Sequence, residues 1–399
     1  MIQGRTVRYL APAGAPVPPL QSLRAAFHCG RNNGFATLAR YFEVPHIFGT
    51  GSGRAALWMI LESLKKLRPG CHLVAVPAYT CFSVAAAVVR AGLKIYPIDV
   101  IPETLDLDYE QLERIPAEDL LCILSANLFG FVNDLARLEA IASTTGAFFV
   151  DDAAQALGAT RDGKLAGTAG HVGFFSLARG KALAVGGGGL IVSRCELVAQ
   201  ALREQLAKIP ENSRIRDAEA LLGVLLSSIL LRPNLYWIPN SLPCLKLGVT
   251  EYDPWFEITG LTKFSCSLVE MLIGNLTELN RNRTLKANAI SRRIKNNPSL
   301  STPKPPPGCS PTFVRMPVLA ANQETRDRAV GSLQRAGIGA SRFYPSAICD
   351  IAEARLNMAN GDIHRIHAEE IARRLFTLPT HPLVRNEDID RMNSILAEI

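Results

Sequence analysis

The sequence holds no CxxC pair, no apolar run long enough to span a bilayer and no basic stretch interleaved with aromatics. Each absence removes a class of protein. The nine cysteines, spread from Cys29 to Cys349, are odd in number and have no metal-ligand spacing, which argues against a disulfide framework and against a metal site. They fit a reducing compartment. The formal charge of +7 is scattered over isolated basic residues such as Arg281, Arg283, Arg292 and Arg293, so nucleic acid is not an expected partner. Small anionic or phosphorylated partners suit it better. The opening Met1-Ile-Gln-Gly-Arg runs into Ala11-Pro-Ala-Gly-Ala-Pro16 without the apolar core of a signal peptide, and the expectation is a cytoplasmic protein. No internal repeat is visible.

One uncharged run tempers that expectation. Residues 220–231 are apolar but fall well short of the ~20 residues a membrane span needs, and Arg232-Pro233 ends them. A buried helix or a dimer-contact helix is the plain reading. A helix lying on the membrane surface is the alternative, supported by Trp237, Trp255, Tyr236 and Tyr252, so peripheral membrane contact through 220–237 is also weighed.

What is present is the composition of a globular chain, 399 residues with 48% hydrophobic and 20% charged. Between Cys71 and Ser193, short aliphatic runs at 73–76, 93–96, 121–125, 147–150, 172–175 and 190–192 alternate with helical patterns at 53–65, 83–91 and 135–144. This alternation predicts an α/β fold with a mostly parallel sheet and crossover helices. Ligands of such sheets collect beyond the carboxyl ends of the strands, where Thr80, Asn127 and Asp152 fall. A proline-rich loop, 298–308, precedes a small C-terminal α+β lobe with strand-like 312–319, a helix over 324–336, extended 338–344 and a last helix after Asn386. The division expected is a large domain over 1–245 and a small one over 246–399.

The chemistry is concentrated in two segments, Val150-Asp-Asp-Ala-Ala-Gln155 and Gly173-Phe-Phe-Ser-Leu-Ala-Arg-Gly-Lys181, the second followed by the glycines 186–189. A lysine that forms an imine with a cofactor aldehyde and a carboxylate that keeps a pyridine nitrogen protonated are what pyridoxal phosphate requires. Lys181 and Asp152 supply both, and Gln155 stands where it could reach the ring hydroxyl. Phe48-Gly-Thr-Gly-Ser-Gly-Arg-Ala-Ala-Leu57 is a glycine-rich turn opening a helix, a common anion site as well as a common turn. Ser52, Gly53 and Arg54 are the candidate phosphate cradle, with Ser176 adding a hydroxyl. Tyr79, Cys81 and Phe82 are candidates to cover the ring face, core packing being the alternative for each.

The order of these segments closely resembles the DegT/StrS family of pyridoxal phosphate-dependent aminotransferases. The resemblance runs from Gly49 to the C-terminus and includes Leu378-Pro-Thr-His-Pro-Leu-Val-Arg-Asn-Glu-Asp-Ile-Asp390 as a closing signature. It implies a fold type I transferase, a homodimer, Lys181 as catalytic lysine, and Ser52, Gly53, Arg54, Cys81, Asp152, Gln155 and Ser176 as cofactor-binding residues. It further implies an amino donor such as glutamate and a keto-sugar acceptor, expected to be nucleotide-activated, in surface polysaccharide or glycan synthesis. Asn127, Arg342 and Tyr344 are substrate candidates, and His381 a weaker one. The chain departs from the family pattern at Arg54, where threonine is usual, at Cys81, where an aromatic is usual, at Asn127-Leu-Phe-Gly130 and at Gly187. The partner's Asn-x-Arg phosphate segment is not recognisable around Thr259–Phe264. A lipid-linked or hydrophobic acceptor, a sugar dehydratase and a non-catalytic regulator are the competing readings; the retained Lys181 speaks against the dehydratase.

Overall fold

The computed structural model describes residues 8–29, 35–210, 212–242, 250–359 and 365–399. Its centre is a seven-stranded sheet of β1 (His46–Thr50), β2 (Leu73–Pro77), β3 (Lys94–Ile98), β4 (Leu120–Ala126), β5 (Phe148–Asp152), β6 (Val172–Ser176) and β7 (Gly189–Ser193). Their spatial order is β1-β7-β6-β5-β4-β2-β3. The run from β3 to β6 is parallel throughout, β7 is antiparallel to β6, and β1 is antiparallel to β7. The central strands β2, β4 and β6 are buried along their whole length, which is why β2 and β4 read as aliphatic runs and not as alternating ones.

Helices cover the sheet because their sequences carry both a stop and a stripe. Gly53–Leu67 starts at Ser52, whose side chain accepts from the Ala55 N–H, and buries Ala56, Ile60 and Leu64 at four-residue spacing. Leu135–Thr145 starts at Asp134, which accepts from the Arg137 N–H, and ends at Gly146 in the left-handed conformation. The expected strands and helices of residues 53–193 all form, within a few residues of their anticipated ends. Strand β1 was not anticipated. It is a short edge strand, mostly half-buried, whose His-Ile-Phe-Gly-Thr pattern reads as the approach to a glycine turn.

The C-terminal lobe holds an antiparallel sheet of β8 (Leu300–Ser301), β9 (Arg315–Ala320) and β10 (Leu375–Pro379), with β9 in the middle. Helices Leu276–Ile294, Gln323–Arg335, Ile366–Arg374 and Asn386–Ala397 belong to this lobe. The run expected at 338–344 makes only isolated bridges among the described residues, Leu10 with Ile338 and Ser341 with Thr377; β9 pairs with β8 and with β10, the latter inside the closing signature. The boundary expected at residue 245 lies outside the described residues. Helix Lys263–Leu272, beyond it, packs against Pro19–Phe27 and Arg214–Leu230.

The apolar 220–231 run lies almost entirely in helix Arg214–Leu230, which buries Ala220, Val224 and Ser228 on one face, with the Ser228 hydroxyl donating to the Val17 carbonyl at 2.6 Å. Ile215, Leu222, Leu226 and Ile229 remain exposed. Among the described residues no helix is long and apolar enough to cross a membrane.

Candidate active site

The carboxyl ends of β2, β4, β5 and β6 open into a cavity of about 500 Å³ that the C-terminal lobe closes from the other side. Ser52, Gly53, Arg54, Cys81, Asn127, Asp152, Gln155, Ser176, Lys181 and Tyr344 all line it. This is the crevice position expected of an open α/β sheet, and it gathers residues from eight separate stretches of sequence.

Its two ionisable centres are displaced toward each other. Asp152, the last residue of β5, is held by burial well above the usual carboxylate range, at about 7, although the Ala154 N–H bond at 2.8 Å and the nearby Lys181 pull it down. Burial lowers the Lys181 ammonium, against the opposing influence of Cys81 and Asp152, and the Arg315 guanidinium lowers it further. Desolvation thus brings a carboxylate and an amine toward neutrality in one cavity, the arrangement that proton-moving sites use. The neighbouring Asp151 is structural. It is fully buried and accepts from the Ser125 hydroxyl at 3.1 Å, the Asn127 amide at 2.7 Å and the Gly167 N–H at 2.7 Å.

At the opposite end, Ser176 is seated directly against the first turn of helix Gly53–Leu67. A Cβ added at Gly53 would lie 3.0 Å from the Ser176 Cβ, so a side chain there would fill the space between the two. The N-terminus of this helix points N–H groups and the positive end of the dipole at that space. Arg54 lines it too, but its guanidinium is ion-paired with Asp253 at 3.4 Å and lies over the Phe256 ring. The Thr80 hydroxyl, buried on the cavity wall, has no hydrogen-bond partner among the described residues. A helix N-terminus with an adjacent serine, an unpartnered hydroxyl, a buried carboxylate and a desolvated lysine fit the phosphate, ring and aldehyde of pyridoxal phosphate.

Other residues expected in the site have partners of their own. Gln155 follows β5 in a turn, not a helix; its Oε1 accepts from the Phe129 N–H at 3.2 Å and its Nε2 donates to the Tyr344 hydroxyl at 3.0 Å. Asn127 is tied to Asp151, to the Asp152 carbonyl at 2.8 Å and to the Asn133 N–H at 2.9 Å, so it braces β5 at the cavity edge. Tyr79 is buried behind the wall, its hydroxyl donating to the Phe343 carbonyl and accepting from the Tyr344 N–H. Phe82 packs near Tyr344, leaving Cys81 as the member of that trio that lines the cavity. Arg342 does not line it. Its side chain is half exposed and paired with Asp327 at 2.9 Å. His381 is buried elsewhere, donating from Nε2 to the Ala11 carbonyl at 2.9 Å, and burial lowers its pKa to about 4. Thr80, expected beyond the end of β2, lines the cavity as well; Arg315, Phe343 and the segment Thr250, Glu251 and Asp253 also line it and were not singled out from the sequence.

Comparison with known proteins identifies the family. The model of the DegT/DnrJ/EryC1/StrS aminotransferase family matches residues 31–216 and 258–397, and the chain belongs to that enzyme family. The erythromycin biosynthesis sensory transduction protein EryC1 of Saccharopolyspora erythraea is 26% identical over 92% of this chain and 90% of its own length. A pleiotropic regulatory protein of Geobacillus stearothermophilus is 32% identical, over 42% of this chain and 45% of that protein. For that relative the match spans less than half its length. The solved structure of Helicobacter pylori PseC, an aminotransferase involved in the biosynthesis of pseudoaminic acid, superposes with a TM-score of 0.78 over 98% of both chains at 14% identity, a likeness of fold.

Proposed function

We propose that the protein is a pyridoxal phosphate-dependent aminotransferase that transfers an amino group from an amino acid to a nucleotide-linked keto-sugar. The observation that carries this reading is the placing of Lys181 and Asp152 on one cavity with their pKa values displaced toward each other. Bound pyridoxal phosphate supplies an aldehyde that exchanges amines and a ring that takes up electrons released at the donor's α-carbon. Asp152 holds the proton on the ring nitrogen. Lys181 Nζ, in its desolvated setting, would take the α-proton of the donor and return it, as general base and then general acid. Ser52, Gly53 and Ser176 would hold the phosphate, and Cys81, on the cavity wall, would cover the ring. The acceptor class rests on relatives named as aminotransferases of sugars, among them the dTDP-3-amino-3,4,6-trideoxy-alpha-D-glucose transaminase of Micromonospora megalomicea. The same reading includes a homodimer, for which a solution mass of two chains is the expected measurement.

The test incubates the purified protein with pyridoxal phosphate, glutamate or glutamine and a panel of nucleotide keto-sugars, and reads product masses. An aminated sugar is expected from the wild type. Lys181→Ala should lose transfer by at least ~10³-fold, in line with the loss of a positioned proton-transfer group. Full activity in Lys181→Ala would sink the assignment, and a deoxygenated, non-aminated product would redirect it to a dehydratase.

A further inference from the structure

Arg315 is a buried cation in the wall of this cavity, and among the described residues no carboxylate forms an ion pair with it. Taking a guanidinium out of water without a counter-ion is costly, so such a group is normally paired or waits for a ligand. Its setting is built for direction. Arg315 opens β9, the middle strand of the small sheet, opposite Pro379 of β10. The guanidinium lies over the Phe343 ring with 4.5 Å between its central carbon and the ring centre, and Nη1 donates to the Ser341 hydroxyl at 2.9 Å. Ser341 Oγ is in turn 3.0 Å from Thr377 Oγ1. One face and one nitrogen are thereby fixed. The other nitrogen, Nη2, faces the Lys181 turn, since a Cβ added at Gly180 would lie 3.6 Å from it.

Chemistry decides what anion belongs there. An α-amino acid carries its carboxylate on the carbon that bears the reacting amine, so a donor amine brought to the Lys181 position places a carboxylate close by. A nucleotide-linked keto-sugar is neutral around its reacting carbonyl and holds its diphosphate several bonds away. The cofactor phosphate has its own place against Ser52, Gly53 and Ser176. A guanidinium with a free edge is suited to a planar carboxylate. Resting on the aminotransferase reading, we infer that Arg315 binds the α-carboxylate of the amino donor, with Ser341 and Phe343 as its positioning residues.

The experiment compares wild type, Arg315→Gln, Arg315→Lys and Ser341→Ala, each loaded with pyridoxal phosphate and checked for wild-type cofactor absorbance and melting temperature. Single-turnover conversion of the cofactor is followed with L-glutamate and with 4-aminobutanoate, which is glutamate without its α-carboxylate. Wild type should prefer glutamate strongly. In Arg315→Gln the half-saturating glutamate concentration should rise about 100-fold and the preference over 4-aminobutanoate should fall by a similar factor, the size expected when a charged recognition group is removed. Arg315→Lys should recover part of the preference and Ser341→Ala lose a few-fold, so these two carry the test if Arg315→Gln does not fold. Undiminished preference in the folded variants, or a KM change confined to the sugar acceptor, overturns the assignment of Arg315. A wild-type protein whose cofactor no amino acid converts overturns the aminotransferase reading itself, and this inference with it.

Discussion

Lys181 and Asp152 line the same desolvated cavity, and the carboxylate registers that burial in a measurable way before any cofactor binds. Its native pKa of about 7 stands above the ~3.9 of an unfolded aspartate, so between those values the folded protein binds more protons than the unfolded one. Stability without cofactor is therefore expected to fall as pH rises from about 4 to about 7. Asp151 is raised in the same direction, to about 6, and adds to the effect. Asp152→Asn should flatten this part of the urea-unfolding profile, whereas an unchanged slope in the variant would place the titration elsewhere. Lys181, Asp152 and Ser176 were legible in the sequence because the chemistry demands those residue types in that order. Arg315 was not, since a single arginine in Phe313-Val-Arg-Met-Pro-Val-Leu319 gives no hint of facing a cavity until β9 is docked beside the Lys181 turn. Tyr344 reaches the cavity and Arg342 does not, because the chain keeps strand geometry only briefly at Ser341 and then turns.

At the scale of elements, helix Arg214–Leu230 separates two readings of one apolar run. Val224 is 4% exposed between Pro19–Phe27 and Lys263–Leu272, while Leu226, two positions on, is 48% exposed. Val224→Ala should cost about 1–2 kcal/mol through the cavity it leaves. Leu226→Glu should stay within about 0.5 kcal/mol in the isolated chain, as exposed substitutions do. Urea titration of both variants measures the contrast, and a large loss in Leu226→Glu at high protein concentration that vanishes on dilution would instead mark the exposed face as covered by another chain. The run's composition could not reveal this division, because helix sidedness here is apolar on both sides. The parallel strands were legible for the converse reason, as short aliphatic runs bounded by glycine, proline and polar residues. Strands β1 and β10 were hidden inside segments whose glycine-rich turn and closing signature drew the eye to function first.

At the scale of the whole molecule, charge argues about the acceptor. The chain carries a formal +7, and the cavity wall combines Arg54, Arg179, Lys181 and Arg315 with Asp152, Glu251 and Asp253. Asp152, with its pKa raised to about 7, is only about half ionised at pH 7, and Arg54 is paired with Asp253, which leaves the mouth biased toward cations. A nucleotide-linked sugar brings a diphosphate, so its capture should draw on a field that salt weakens, with a screening length of about 10 Å at 0.1 M. The expected result is a several-fold fall in kcat/KM for a nucleotide keto-sugar between roughly 20 and 200 mM salt, carried mainly by KM because the chemical step at buried Lys181 is shielded. The same keto-sugar without its nucleotide should react poorly and show little salt dependence. Equal rates for the two sugars, both flat in salt, would remove the nucleotide from the recognition problem and turn attention to an acceptor that the apolar part of the wall, Leu57, Val84 and Phe343, selects by shape.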